Sequence, residues 1–135
     1  MKKLFSAEPI AQDLIVALLR INIAVFLIIH GKEVFDTVKM EEYTKWDTFK
    51  TSGIMPYLGK GAEFLAGFLL LVGLFTRLAC IITIGTFAYI TFFVGNGKFW
   101  MEDQHPFMFV LFGLLFFFTG PGAMSLDRIL FGKRR

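Results

Sequence analysis

An arginine and a glutamate, Arg20 and Glu63, interrupt stretches that are otherwise long and apolar enough to enter a bilayer. The run 14–29 is broken only by Arg20 and Asn22, and the run 62–75 only by Glu63 near its start. A charge at membrane depth costs roughly 2.5–3.5 kcal/mol on insertion scales, so it is rarely left facing lipid. One basic and one acidic group on separate spans are therefore expected to face each other inside a helical bundle. Glu63 sits roughly 9 Å below the outer end of its span and Arg20 roughly 15 Å, a difference an arginine bridges by snorkelling. His30 closes the first apolar stretch, His105 opens the last, and Glu102 lies just upstream of it. Arg20, His30, Glu63, Glu102 and His105 together describe a polar pocket opening outward, suited to a polar ligand or to proton handling. Read structurally, the same residues are a buried pair that fixes helix register and two histidines wetted at the headgroups. Two imidazoles and two carboxylates can ligate zinc or iron, but their spacing shows no ligand pattern, so no metal is expected.

The elements that must position these groups follow from composition. The chain has 135 residues, 56% of them hydrophobic and 19% charged, with phenylalanine at 18 positions. A soluble domain of that size cannot hide so much apolar surface, so a single integral membrane domain over residues 1–135 is expected. The net charge of +3 forms no patch, because the basic residues are scattered at the ends of apolar runs. A nucleic-acid partner is therefore not expected. Cys80 is the one cysteine and lies within an apolar stretch, so it has no internal disulfide partner and reads as inert core.

Hydropathy marks four spans, about 13–30, 57–75, 78–94 and 102–119, which makes the chain all-α: a four-transmembrane-helix antiparallel bundle. The first span carries Arg20 with no small-residue cleavage site after it, so it reads as a retained span and not a signal peptide. Thr76-Arg77 reads as the tight turn between spans two and three. Ala62, Ala66 and Gly73 form a small-residue stripe suited to close helix contact. Ala79, Thr83 and Thr86 share one face of span three, and the phenylalanines of span four surround their helix as packing and lipid-facing bulk. Gly120-Pro121-Gly122 ends span four, after which Ser125 is placed to cap a short amphipathic segment, Leu126–Phe131. In the first outer loop, Phe35, Val38, Tyr43, Trp46 and Phe49 recur at near-helical spacing among charged residues. That pattern predicts an amphipathic interfacial helix, broken by Ser52-Gly53-Ile54-Met55-Pro56. Lys2, Lys3, Arg77, Arg128, Lys133, Arg134 and Arg135 fall on one side, and the acidic loops on the other. By the positive-inside rule both termini are expected in the cytoplasm.

Several segments resemble the DoxX family of small four-helix integral membrane proteins. They are the arginine of the first span followed by His30-Gly31-x-x-x-Phe35; Gly53-Ile54-Met55-Pro56; Glu63 leading into Gly67-Phe68-Leu69-Leu70-Leu71-Val72-Gly73-Leu74-Phe75-Thr76-Arg77-Leu78-Ala79; and Gly120-Pro121-Gly122-Ala123-Met124-Ser125-Leu126-Asp127. The resemblance implies quinone-coupled oxidation, in subunits of terminal quinol oxidase or thiosulfate:quinone oxidoreductase, or membrane assemblies of thiol and oxidative-stress proteins. It also implies a bacterial cytoplasmic (inner) membrane. Many members carry a carboxylate entering span four, where this chain has His105 with Glu102 upstream.

The expected function is an accessory subunit of a quinone-linked or thiol/oxidative-stress redox assembly, with no cofactor of its own and quinone as the candidate ligand. Expected partners are the lipid bilayer and other membrane subunits, in a homo- or hetero-oligomer. Two alternatives stand beside this reading. One is an autonomous quinone-dependent oxidoreductase of a small sulfur compound, disfavoured by the lack of a cysteine pair, haem-ligand pair or nucleotide motif. The other is a small transporter or channel-like bundle, disfavoured by the lack of internal repeats and broken-helix pairs.

Overall fold

The long apolar stretches fold as helices because a chain in hydrocarbon must satisfy its backbone polar groups within each segment. A computed structural model of the protein describes residues 2–132; Met1 and the basic run Lys133-Arg134-Arg135 lie outside them. The helices are α1 (Gln12–Gly31), α2 (Thr37–Thr44), α3 (Met55–Val72), α4 (Thr76–Tyr89), α5 (Gln104–Thr119) and α6 (Leu126–Phe131). No strand occurs among the described residues. Gln12–Phe35, Met55–Val72 and Thr76–Val94 are long and apolar enough to cross a membrane. Helix α5 is apolar but has 16 residues, or roughly 24 Å at 1.5 Å per residue. It starts at Gln104, two residues after the expected start near Glu102, because the chain before it is a turn closed by Asp103, whose carboxylate accepts from Asn96 N and Lys98 N at 3.0 Å each.

Helix α1 packs on α3, α3 on α4, and α4 on α5. The α1–α3 seam is close because small residues line it. A Cβ on Gly67 would stand 2.9 Å from Ile28 N and from Leu27 Cβ, and one on Gly31 would overlap the backbone of Glu63 and Phe64. Of the small-residue stripe expected on this helix, Ala66 is buried at the seam, whereas Gly73 instead ends α3 at φ 68°. Between α4 and α5 the rings of Phe87 and Phe109 stack at 4.5 Å beside Cys80, Phe116 and Val110 in the core. Phe118 of α5 is 77% exposed while Phe116 is fully buried, so the phenylalanines serve both core and outer surface.

Two expectations change here. Thr76-Arg77 is not the turn: Gly73, Leu74 and Phe75 make it, and Thr76 opens α4. The reason lies far along the chain, in the Asp127 carboxylate, which accepts from Phe75 N at 2.6 Å and Thr76 N at 2.7 Å. An anion on the orphan donors of the first turn starts α4 two residues earlier than hydropathy implied. The single amphipathic helix expected over the first long loop is also divided. A 3-10 turn (Lys32–Phe35) precedes α2, which Asp36 caps, and a second 3-10 turn (Asp47–Phe49) follows. This segment folds back on the helices, burying Met40 and Phe49 and setting Phe35 edge-on to Phe64 at 5.4 Å. Ser125 caps α6 as its type and place suggested, accepting from Arg128 N at 3.2 Å.

Candidate functional site

Arg20 and Glu63 are not partners. Arg20 is completely buried, and its guanidinium donates to main-chain carbonyls. Nε reaches Pro121 O at 2.8 Å, Nη1 reaches Leu70 O and, at 3.1 Å, Leu71 O, and Nη2 reaches Met124 O at 2.9 Å and Ala123 O at 3.3 Å. The physical cause is direction. Helical side chains lean toward their helix N-terminus, which carries Arg20 away from Glu63. At that end it meets carbonyls of the last turn of α3, which no continuing helix serves, although Leu70 O also accepts from Gly73 N at 3.2 Å. Glu63 lies seven positions earlier on α3 than Leu70, roughly 10 Å along the axis. Arg20 is thus a clamp joining α1, the end of α3 and the segment before α6. Gly122 belongs to the same joint: a Cβ there would stand 2.7 Å from Asp13 O. Ala123 N donates to that same oxygen at 2.9 Å.

Glu63 instead pairs with a residue that hydropathy reading passed over. Lys60, one turn before it on α3, places Nζ 3.4 Å from Glu63 Oε2 and 3.2 Å from Glu33 Oε2. Glu33, in the turn after α1, also accepts from Tyr43 OH at 2.8 Å and pairs with Lys39 at 3.1 Å. Lys60 lies 5.5 Å from the Tyr43 ring centroid, a cation–π contact. Burial pushes the Tyr43 phenol up to about 12, aided by its bond to Glu33, so it stays a donor at neutral pH. Donation to Glu33 likewise raises Lys39. The i, i+3 spacing of Lys60 and Glu63 was the available signal in the sequence.

Beside this network a cavity of about 470 Å³ opens between the loop-side halves of α3 and α4. Tyr43, Trp46 and Phe49 wall it from the loop, Gly59, Lys60 and Glu63 from α3, and Gly85, Thr86 and Tyr89 from α4. After Tyr89 the helix widens into a π turn, Ile90–Val94, whose first and last residues also border the space. Cβ atoms added at Gly59 or Gly85 would meet nothing within 4 Å, so both glycines border open space. Thr86 reaches it, whereas Thr83 donates to Ala79 O at 2.9 Å and is spent on its own helix.

The remaining expected site residues separate. His30 and His105 do meet, edge to face with ring centroids 6.0 Å apart, where the end of α1 faces the start of α5. Glu102 is exposed and pairs with Lys98 at 3.6 Å, not with Arg20 or Glu63. No group of three or more His, Cys, Asp or Glu side chains that could hold a metal occurs among the described residues.

Residues 15–96, well over half the chain, match the DoxX family. The chain belongs to the DoxX family. That match covers α1 through α4, including Glu63, Lys60, Glu33 and the cavity, while the Gly120–Asp127 resemblance falls outside it. No curated protein and no solved structure matches the chain. DoxX membership makes it a membrane protein of that type, in contact with the lipid bilayer through the exposed apolar faces of its helices.

Proposed function

We propose that this DoxX protein is an accessory subunit of a redox assembly in a bacterial inner membrane, and that its cavity receives a quinone head group. The observation that carries this reading is the cavity itself. Its volume lies in the range of small-molecule sites, and its walls are aromatic and aliphatic with a charged pair at one end. A quinone head is a flat apolar ring with two carbonyl oxygens, so Tyr43, Trp46 and Tyr89 supply faces for stacking and Lys60 Nζ supplies a donor. The Cβ-free walls at Gly59 and Gly85 leave room for a ring. Bound there, a quinone would accept electrons and protons; the chain's own residues hold and orient it. The single buried cysteine offers no thiol pair, so electrons are assigned to partner subunits.

In this reading α1, α3, α4 and α5 form a four-span antiparallel bundle. The pairings of Gly31 with Glu63–Phe64, of Gly67 with Leu27–Ile28, and of Arg20 with Leu70 support opposed directions for α1 and α3. Arginine-rich ends support cytoplasmic termini, which puts the cavity and the α2 segment at the outer leaflet. Trp46 is then an interfacial residue at the cavity mouth.

Quinone binding is tested by fluorescence. In a Trp100→Phe background Trp46 is the remaining tryptophan of the two. Titrating decylubiquinone into the protein in nanodiscs should quench Trp46 saturably. Gly85→Leu, which adds bulk at a cavity wall where a Cβ meets open space, should weaken that binding by on the order of tenfold or more while helix content is kept. Unsaturable quenching, or equal affinity in both proteins, would sink the quinone assignment. For the assembly, mild-detergent purification from native membranes should bring down a flavin-, haem- or thiol-bearing protein; recovery of the chain alone argues against a subunit role.

A further inference from the structure

The charged groups beside the cavity form a continuous line from water to Glu63 in its wall. Side-chain exposure falls from 52% at Lys39 to 19% at Glu33 and Lys60 and 3% at Glu63. Successive separations are 3.1, 3.2 and 3.4 Å. A structural ion pair needs two members, and Glu63 already has Lys60 one turn away. Two lysines and two carboxylates alternate and balance in charge, each contacting the next along the line, with Tyr43 as a further donor to Glu33. Lys60 sits between the two carboxylates, so either can be neutralised while the ammonium keeps the other as its partner.

We propose that Glu63 exchanges protons with the aqueous phase on the side of the 31–56 loop, through Lys60 and Glu33. The step balances without any other reactant. A proton on Glu63 Oε2 passes to Lys60 Nζ as Lys60 gives one of its own to Glu33 Oε2. Lys60 stays an ammonium, Glu63 becomes a carboxylate, and Glu33 is left protonated, to release into water. Tyr43 OH and Lys39 Nζ then restabilise the Glu33 carboxylate. The groups facing this line from other elements are His30 at the end of α1, with His105 of α5 behind it, and the hydroxyls of Thr86 and Tyr89 on α4. Among the described residues of α4 that border the cavity none is charged, so no second charged line leads from Glu63 through α4. Such a path suits a cavity whose occupant gains or loses protons.

The inference concerns the cavity of the proposed function but not its ligand, so a failed quinone titration and a failed proton test are separate outcomes. The probe is N,N′-dicyclohexylcarbodiimide, an apolar reagent whose C=N bond takes up a protonated carboxyl group with no leaving group. Sealed vesicles of both orientations, distinguished by whether added protease cuts the 31–56 loop, are buffered acidic on one side and alkaline on the other. Adduct on Glu63 is measured by mass spectrometry, with Glu63→Gln as the control for assignment. Labelling should follow the pH on the loop side, changing on the order of tenfold between the two arms, and ignore the other side. In Glu33→Gln the initial labelling rate after a loop-side pH jump should fall by a similar factor. Labelling that follows the opposite side, is absent at every pH, or is indifferent to both sides overturns the proposal. So does a folded Glu33→Gln protein that labels as fast as the wild type. The wild-type sidedness stands as a test even where that variant fails to assemble.

Discussion

Replacing Arg20 by methionine should destabilise the protein by about 3–5 kcal/mol, the largest single-residue loss expected outside the helix seams. The guanidinium is fully buried and serves five carbonyls, on Leu70, Leu71, Pro121, Ala123 and Met124. Leu70 O keeps its bond from Gly73 N at 3.2 Å, whereas each other buried carbonyl left without a donor costs about 1–3 kcal/mol, partly relieved by water or by rearrangement. Arg20→Lys should recover little, because one ammonium on a flexible stem does not span acceptors that a planar fork reaches together. The damage should be local in an informative way. The joint of residues 120–125 with α1 should open first, seen as faster amide exchange at Ala123 and Asp127, whose N–H groups bond to Asp13 O and Gly73 O. The measurement is reversible unfolding in mixed micelles together with site-resolved exchange. A loss below about 1 kcal/mol would show the carbonyls to be satisfied without the arginine. Glu63→Gln is the complementary control: if Arg20 serves carbonyls only, the Arg20→Met and Glu63→Gln effects should add in a double-mutant cycle.

Gly31→Ala should cost about 3 kcal/mol and loosen the loop side of the molecule. A Cβ at this position would lie 2.6 Å from Phe64 Cα and 2.9 Å from Glu63 C, and backbone atoms have no rotamer by which to yield. Overpacking against side chains typically costs 1–3 kcal/mol, so about the top of that range is expected against backbone. Helix α1 must tilt or shift there, which moves Glu33 relative to Lys60 and should disturb the cavity as well as stability. Gly85→Ala is the matched comparison, since its Cβ meets open space and should change stability by under about 1 kcal/mol. Thermal unfolding of the two variants in the same micelles measures the contrast, and equal midpoints would mean that α1 and α3 pack less closely than these distances state.

Identity as a membrane protein was legible in the sequence, and so were the approximate helices, because exclusion from water depends on the number of consecutive apolar residues and little else. The cap at Ser125 and the helix stop at Gly120-Pro121-Gly122 were readable for a similar reason: caps and breakers act over a turn of chain. The small residues near Glu63 likewise pointed to close helix contact, although the partner glycine, Gly31, was hidden in the other helix.

What the sequence left open was which charge meets which. Arg20 and Glu63 looked complementary because depth was counted along each helix, but depth ignores which way a side chain leans. Arg20 leans toward the N-terminal end of α1, and there the last carbonyls of α3 and those of residues 121–124 take its donors. Lys60 and Glu33, partners within reach of Glu63, were overlooked because a lysine one turn from a carboxylate looks like ordinary span-end polarity. Glu33 comes within range only when the loop folds back on α3. The cavity has the same origin, since Gly59 and Gly85 are unremarkable in their own helices and become walls of one space only when α3 and α4 pack. Apolar length and local capping belong to the chain by itself. Ion-pair choice and empty volume belong to the packed helices, since each depends on side-chain direction and on contacts between residues far apart in sequence.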